Sequence, residues 1–144
     1  MQTPNIETQG ILSPDGRWLA YTSNLTGRFE VHVQSFPDPT ARVQASPSGG
    51  SSPRWRRDGK ELFYLRPDGT LMSVRVRSSK PLEFEPPVAL FQFFSVERGV
   101  AANTPPYDVT ADGEQFIVAA VTRRAEPSIN VLLNWPALLT QSAR

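Results

Sequence analysis

One short pattern recurs three times in this chain, and it constrains the fold more than any other feature. Ser13-Pro14-Asp15-Gly16 runs into Arg17-Trp18-Leu19-Ala20-Tyr21. Arg56-Arg57-Asp58-Gly59 runs into Lys60-Glu61-Leu62-Phe63-Tyr64, and Thr110-Ala111-Asp112-Gly113 into Glu114-Gln115-Phe116-Ile117-Val118. Each unit is an apolar residue (Leu12, Trp55, Val109), an Asp-Gly turn and an apolar strand. Ser13, Arg56 and Thr110 open the units, so the spacing is 43 and then 54 residues. Periods of that size point to four-stranded propeller blades.

The strands between the turns fit this reading. In the first unit Gly10–Ser13, Trp18–Thr22 and Phe29–Val33 read as strands, with a weaker fourth at Arg42–Ala45. Phe29, Val31 and Val33 alternate with Glu30, His32 and Gln34, the period of a half-buried strand. The second unit gives Pro53–Arg56, Glu61–Leu65, a run around Met72, Val74 and Val76, and Val88–Phe93. The third gives Tyr107–Thr110, Gln115–Ala120 and Ser128–Trp135, and then lacks a convincing fourth strand. Fourteen prolines, about twice the usual share of ~5%, fall mostly between these runs. That suits a loop-rich all-β chain and works against long helices.

The expected fold is therefore all-β: a partial β-propeller of about three four-stranded antiparallel blades, half of a six-bladed ring. The 144 residues form one domain, with blades at approximately 10–46, 52–94 and 106–135. Residues 1–6 belong to no blade of their own. They are expected to close the third blade beside Ile129–Leu133, since an open sheet edge leaves N–H and C=O groups unpaired.

Composition excludes several classes. No run of about 18 apolar residues is present, so no helical membrane span is expected. The start, Met1-Gln2-Thr3-Pro4-Asn5, has neither the basic nor the apolar part of a secretory signal. Without cysteine there is no disulfide, thiolate metal site or thiol nucleophile, and the compartment stays open. A net charge of +1 argues against a field that would hold nucleic acid or an anionic membrane.

The repeats resemble the TolB-like six-bladed propeller family, whose WD-type unit reads apolar-Ser-Pro-Asp-Gly before a strand ending in an aromatic. Leu12–Ser23 matches it closely, Pro53–Tyr64 well, and Val109–Ala119 less so. A narrower likeness is to the C-terminal propeller of certain bacterial serine/threonine protein kinases, carried by Gln2–Gly10, Pro53–Tyr64 and Val131–Trp135. The likeness implies a detached half-propeller, extracytoplasmic if its parent is membrane-anchored. The sequence has no Gly-rich phosphate loop, strand lysine or His-Arg-Asp loop, so it does not imply kinase activity.

His32, the only histidine, reads as a surface or blade-packing residue on the polar side of its strand. Gly49-Gly50-Ser51-Ser52-Pro53 begins like a nucleophile elbow but ends in proline where glycine is required, so it reads as a linker. Asp15-Gly16, Asp58-Gly59 and Asp112-Gly113 read as structural turns, in which aspartate bonds its own backbone and glycine supplies the conformation. No metal site and no cofactor is expected. Arg54 and Arg56 point away from Trp55, which aligns with core positions. On the first strand of a blade they would border the central channel beside Asp108 and could receive an anionic small ligand or acidic peptide. The functional expectation is a non-catalytic module binding a protein, peptide or small ligand. The alternative is a regulatory or sensor fragment of a kinase or a propeller-bearing peptidase. Three blades leave two faces bare, so a homodimer, or association with a missing propeller half, is expected.

Overall fold

The computed structural model describes residues 6–94, 105–120 and 128–132, which form twelve β-strands with no helix among them. Three antiparallel sheets follow one another along the chain, one per repeat. The first orders β1 (Glu7–Leu12), β2 (Trp18–Ser23), β3 (Glu30–Ser35) and β4 (Arg42–Gln44) in sequence. The second runs β5 (Ser51–Trp55), β6 (Glu61–Leu65) and β7 (Thr70–Ser79), and β7 then pairs with both β8 (Leu82–Phe84) and β9 (Val88–Gln92). The third is β10 (Tyr107–Val109), β11 (Phe116–Ala120) and β12 (Ser128–Leu132). The protein is all-β, a partial propeller.

β8 is a strand that the sequence pattern does not announce. It is three residues long and lies between Pro81 and Pro86, a setting that reads as loop. β9 pairs with Thr70–Ser73 and β8 with Val76–Ser79, so two short pieces share the work of a fourth strand along a ten-residue β7.

The Asp-Gly turns are built alike. The glycine N–H donates to the carbonyl three residues back: Gly16 to Ser13 (2.8 Å), Gly59 to Arg56 and Gly113 to Thr110 (both 2.9 Å). All three glycines have φ between 70° and 76°, the left-handed region that a side chain makes costly. The aspartates accept the backbone N–H two residues on, from Arg17 (3.2 Å), Lys60 (3.0 Å) and Glu114 (3.0 Å). The residue opening each turn also bonds that aspartate, twice through a hydroxyl and once through a guanidinium. Ser13 donates its hydroxyl to Asp15 (2.6 Å), Arg56 its Nε to Asp58 (2.9 Å), and Thr110 its hydroxyl to Asp112. Arg56, which breaks the Ser-Pro pattern in sequence, thus does the serine's work in space.

Alternation along β6 explains the core. Leu62 and Tyr64 face the first sheet, where they pack with Ala20, Val31 and Val33. Phe63 and Leu65 face the third, packing with Tyr107, Phe116 and Val118. The central sheet is covered on both faces, and all of β6 is buried. Each sheet therefore presents a backward face to the blade before it and a forward face to the blade after it. The two end faces have no neighbour among the described residues. On the first sheet's backward face Leu12, opposite Leu19, is 44% exposed, whereas Tyr21 and His32 are buried; the third sheet's forward face carries Ile117, 46% exposed.

The expected pairing of residues 1–6 with the third blade falls largely outside the described residues. Ile6, which is described, exchanges backbone and side-chain bonds with Asn24 at the end of the first sheet.

Candidate ligand site on the inner strands

β1, β5 and β10 open their sheets, and the first strand of a blade borders the central axis in a propeller. β1 and β5 each carry a break in register, between Thr8 and Ile11 and between Ser51 and Arg54. At each break a non-glycine residue takes the left-handed conformation: Gln9 and Ser52, both with φ 57°. The bulges turn these backbones toward one another. Gln9 Oε1 accepts the Ser52 N–H (2.8 Å) and the Thr22 hydroxyl (2.9 Å), while Ser52 C=O accepts the Tyr107 hydroxyl (2.7 Å). One residue of β5 thereby ties all three inner strands together. Burial pushes the Tyr107 phenol well above its usual range, so it remains a donor. Nothing in the sequence pattern signals this belt, because its members are 43 and 55 residues apart.

The belt sets Arg54 beside Asp108, with Nε and Oδ1 3.7 Å apart. The side chains are unequally covered, Arg54 being 21% exposed and Asp108 73%. Together with Pro105, Pro106, Ile117 and Ala119 they line a cleft of about 300 Å³. A guanidinium has five N–H donors. One nitrogen of Arg54 donates to the Pro53 carbonyl (3.0 Å), and the approach to Asp108 is longer than a hydrogen bond.

Arg56 is not part of this cleft's lining. Its guanidinium is committed to Asp58 and to Glu61 (3.1 Å), and its stem lies against Gly113. Of the three channel candidates, Arg54 and Asp108 come together and Arg56 serves its turn and the contact with the third blade. The Asp58 partner holds Arg56 above its ordinary range, and Arg56 in turn holds Asp58 below its own.

His32 faces the polar side of β3 yet is buried, opposite Tyr21 with ring centroids 6.0 Å apart. Its Nε2 lies 3.7 Å from the carboxylate of Glu30, also buried, which accepts from Arg28 (2.7 Å) and Thr26 (2.8 Å). Desolvation, aided by the charge of Arg42, lowers the His32 pKa and favours the neutral ring. Gly49–Ser52 carries the chain from the first sheet into the second. A Cβ on Gly50 would meet Tyr64 at 2.7 Å, so the close approach of the two sheets demands a glycine there.

Comparison with known proteins supports the fold. A TolB homolog from Chlorobium luteolum is 34% identical over 88 residues, covering 52% of this chain and 20% of that protein. TolB from Acinetobacter baumannii superposes with a TM-score of 0.59 at 16% identity, over 92% of this chain and 31% of its own. An oligogalacturonate lyase in complex with manganese gives 0.61 at 18%, over 92% and 36%. No protein-family model matches the sequence. The chain thus spans about a fifth of the length of the curated relative and about a third of the solved structures.

These likenesses correct one expectation. The sequence alone leads to the expectation of a non-catalytic module. Solved structures sharing its fold include oligogalacturonate lyases and a putative 6-phosphogluconolactonase from Bacteroides fragilis, the last with a TM-score of 0.51 at 17% identity. A propeller of this kind is therefore no argument against enzymatic activity, and at such identities the likeness establishes none, because function resides in sites grafted on a fold. What the comparisons share with this chain is its architecture, that of a TolB-like β-propeller.

Proposed function

We propose that this chain is a ligand- and partner-binding propeller module that receives an anionic group at Arg54. The observation carrying this reading is the Arg54–Asp108 cleft on the inner strands. A guanidinium with donors to spare, in a partly water-excluded cleft and loosely held by an exposed carboxylate, suits a carboxylate ligand that can bind it in bidentate fashion. An acidic peptide is the ligand proposed, because the cleft is open along the inner strands at Arg54 and flanked there by Pro105 and Pro106. Anisotropy of a labelled ten-residue poly-glutamate peptide tests it. Arg54→Gln should weaken binding about tenfold or more, and Asp108→Asn should strengthen it by removing a competing carboxylate. Equal affinity for the parent protein and Arg54→Gln contradicts the reading.

The same module is proposed to pair with a second copy to complete a six-bladed ring. The support is the direction of the faces. At both internal junctions a backward face (Leu62 and Tyr64; Phe116 and Val118) meets a forward face (Ala20 and Val33; Phe63 and Leu65). By the repeat, Leu19 and Tyr21 stand where Leu62 and Tyr64 stand, and Ile117 and Ala119 where Phe63 and Leu65 stand. One end face is thus backward and the other forward, so two copies related by a two-fold axis would join them through equivalent contacts. A longer parent chain supplying the other half is the competing outcome.

The narrower kinship with the propeller part of bacterial serine/threonine kinases, with its extracytoplasmic setting, is a second reading carried by the Pro53–Tyr64 match. A kinase domain encoded directly upstream supports it, and its absence there contradicts it.

A further inference from the structure

The first blade junction opens, at its turn end, into a groove of about 540 Å³. Its walls are the Ser13–Arg17 turn of the first sheet, the Asp58–Lys60 turn of the second, and the extended β7–β8 hairpin from Val76 to Leu82. It is separate in lining from the Arg54 cleft.

Three features of the groove are unspent by the fold. Trp55 lines it and is 7% exposed, yet its indole Nε1–H has no acceptor among the described residues. A buried donor left unpaired costs free energy that a ligand acceptor would recover. Trp18, partly buried, supplies a second indole to the same space. Lys60 is exposed on the rim and forms no ion pair among the described residues, although its charge helps hold Asp58 below the usual carboxylate range. The other charges of the lining are already matched: Arg17 with Asp15 at 2.7 Å, Arg77 with Glu83 at 2.5 Å, and Asp58 with Arg56. Lys60 is the cation left over.

We propose that this groove is a binding site for a small organic carboxylate with a flat apolar face. The carboxylate is held by the Lys60 ammonium, the flat face lies along the Trp18 and Trp55 indoles, and a ligand oxygen accepts the Trp55 N–H. Stacking on an indole suits either a pyranose ring or an arene, and the charge requirement is the same for both. The groove at the second junction, about 340 Å³ between Arg56 and the Asp112–Glu114 turn, has no indole in its lining, and a T-shaped phenyl packing fills the interface.

The test is ligand-observed nuclear magnetic resonance together with tryptophan fluorescence on the whole chain, with four probes: glucuronate and its uncharged parent glucose, benzoate and its uncharged analogue benzyl alcohol. At least one carboxylate should bind in the low-millimolar range or tighter, and at least tenfold better than its uncharged counterpart. The arm that binds identifies the flat face as sugar or arene. Lys60→Gln should lower that affinity about tenfold with unchanged melting, and Trp55→Phe, which keeps an aromatic ring and removes the donor, about three- to tenfold. Arg54→Gln, outside the groove lining, should leave affinity unchanged. Absence of binding by both carboxylates up to 10-fold above that range (about 50 mM), or binding insensitive to both Lys60→Gln and Trp55→Phe, overturns the proposal. Because Arg54→Gln is silent here and decisive for the poly-glutamate peptide, failure at one site is distinguishable from failure at the other.

Discussion

The two blade junctions join the same kinds of face by different means. At the first, small residues of one sheet (Ala20, Val31, Val33) receive large ones of the next (Trp55, Leu62, Tyr64), and the fit ends in an open groove. At the second, Phe116 interlocks edge-on with Phe63 (centroids 5.1 Å, 85°) and with Phe91 (5.5 Å, 70°), and the turn glycine Gly113 sits against the Arg56 stem. What repeats from blade to blade is the direction of each face, set by strand alternation. The volume that fills the gap is distributed differently each time, and that is where a ligand site can arise without disturbing the fold.

The largest effect that would break this comparison is at the aromatic junction. Phe116→Ala should cost about 3–5 kcal/mol by urea unfolding, since it removes a fully buried ring and leaves a cavity. Ala20→Gly, on the small side of the first junction, should cost only about 0.5–1 kcal/mol. Similar losses in the two variants would mean that the phenyl packing is not what holds the third blade.

A smaller effect sharpens it. Gly59 and Gly113 occupy equivalent turns with nearly equal φ, 70° and 76°. A Cβ at Gly59 would lie 3.7 Å from its nearest neighbour, Pro14, whereas at Gly113 it would lie 2.6 Å from Arg56 Cδ. Gly59→Ala should therefore show the conformational cost alone, about 1–2 kcal/mol, and Gly113→Ala should exceed it because Arg56 must move. A Gly113→Ala variant no less stable than Gly59→Ala would contradict the tight second junction.

The smallest effect concerns the turns themselves. The Ser13 hydroxyl, with the Arg17 backbone and guanidinium, brings Asp15 down to about 2 from 3.8. A depressed carboxyl pKa stabilises the native state above the unfolded value, and this contribution disappears as pH falls toward about 2. Ser13→Ala should raise the Asp15 pKa toward 3.8, read by carboxyl carbon shifts. Asp58, whose partner is Arg56, should not move in that variant. An unchanged Asp15 would show that the hydroxyl is not what holds it.

Strand alternation and Asp-Gly turns made most of the fold legible in the sequence, because both are local. β8 was hidden by its flanking prolines, although Leu82 and Phe84 keep the period of two. The Gln9–Ser52–Tyr107 belt was not legible, since left-handed bulges at non-glycine residues leave no local mark. Arg54 and Asp108 could be paired from their places on first strands. Arg56 could not be separated from them, because alternation gives a side chain's face and says nothing of the turn it caps. His32 and Glu30 read as polar-side residues, and their burial depends on Arg28, Tyr21 and the neighbouring strand.

Two arcs are proposed to close one ring through complementary backward and forward end faces. Light scattering coupled to size exclusion measures it most directly on the purified 144-residue chain. The expected species is about 32 kDa, twice the 16.0 kDa of one chain, reduced to monomer by Ile117→Asp on the forward face. A stable, well-folded monomer of 16.0 kDa would contradict it.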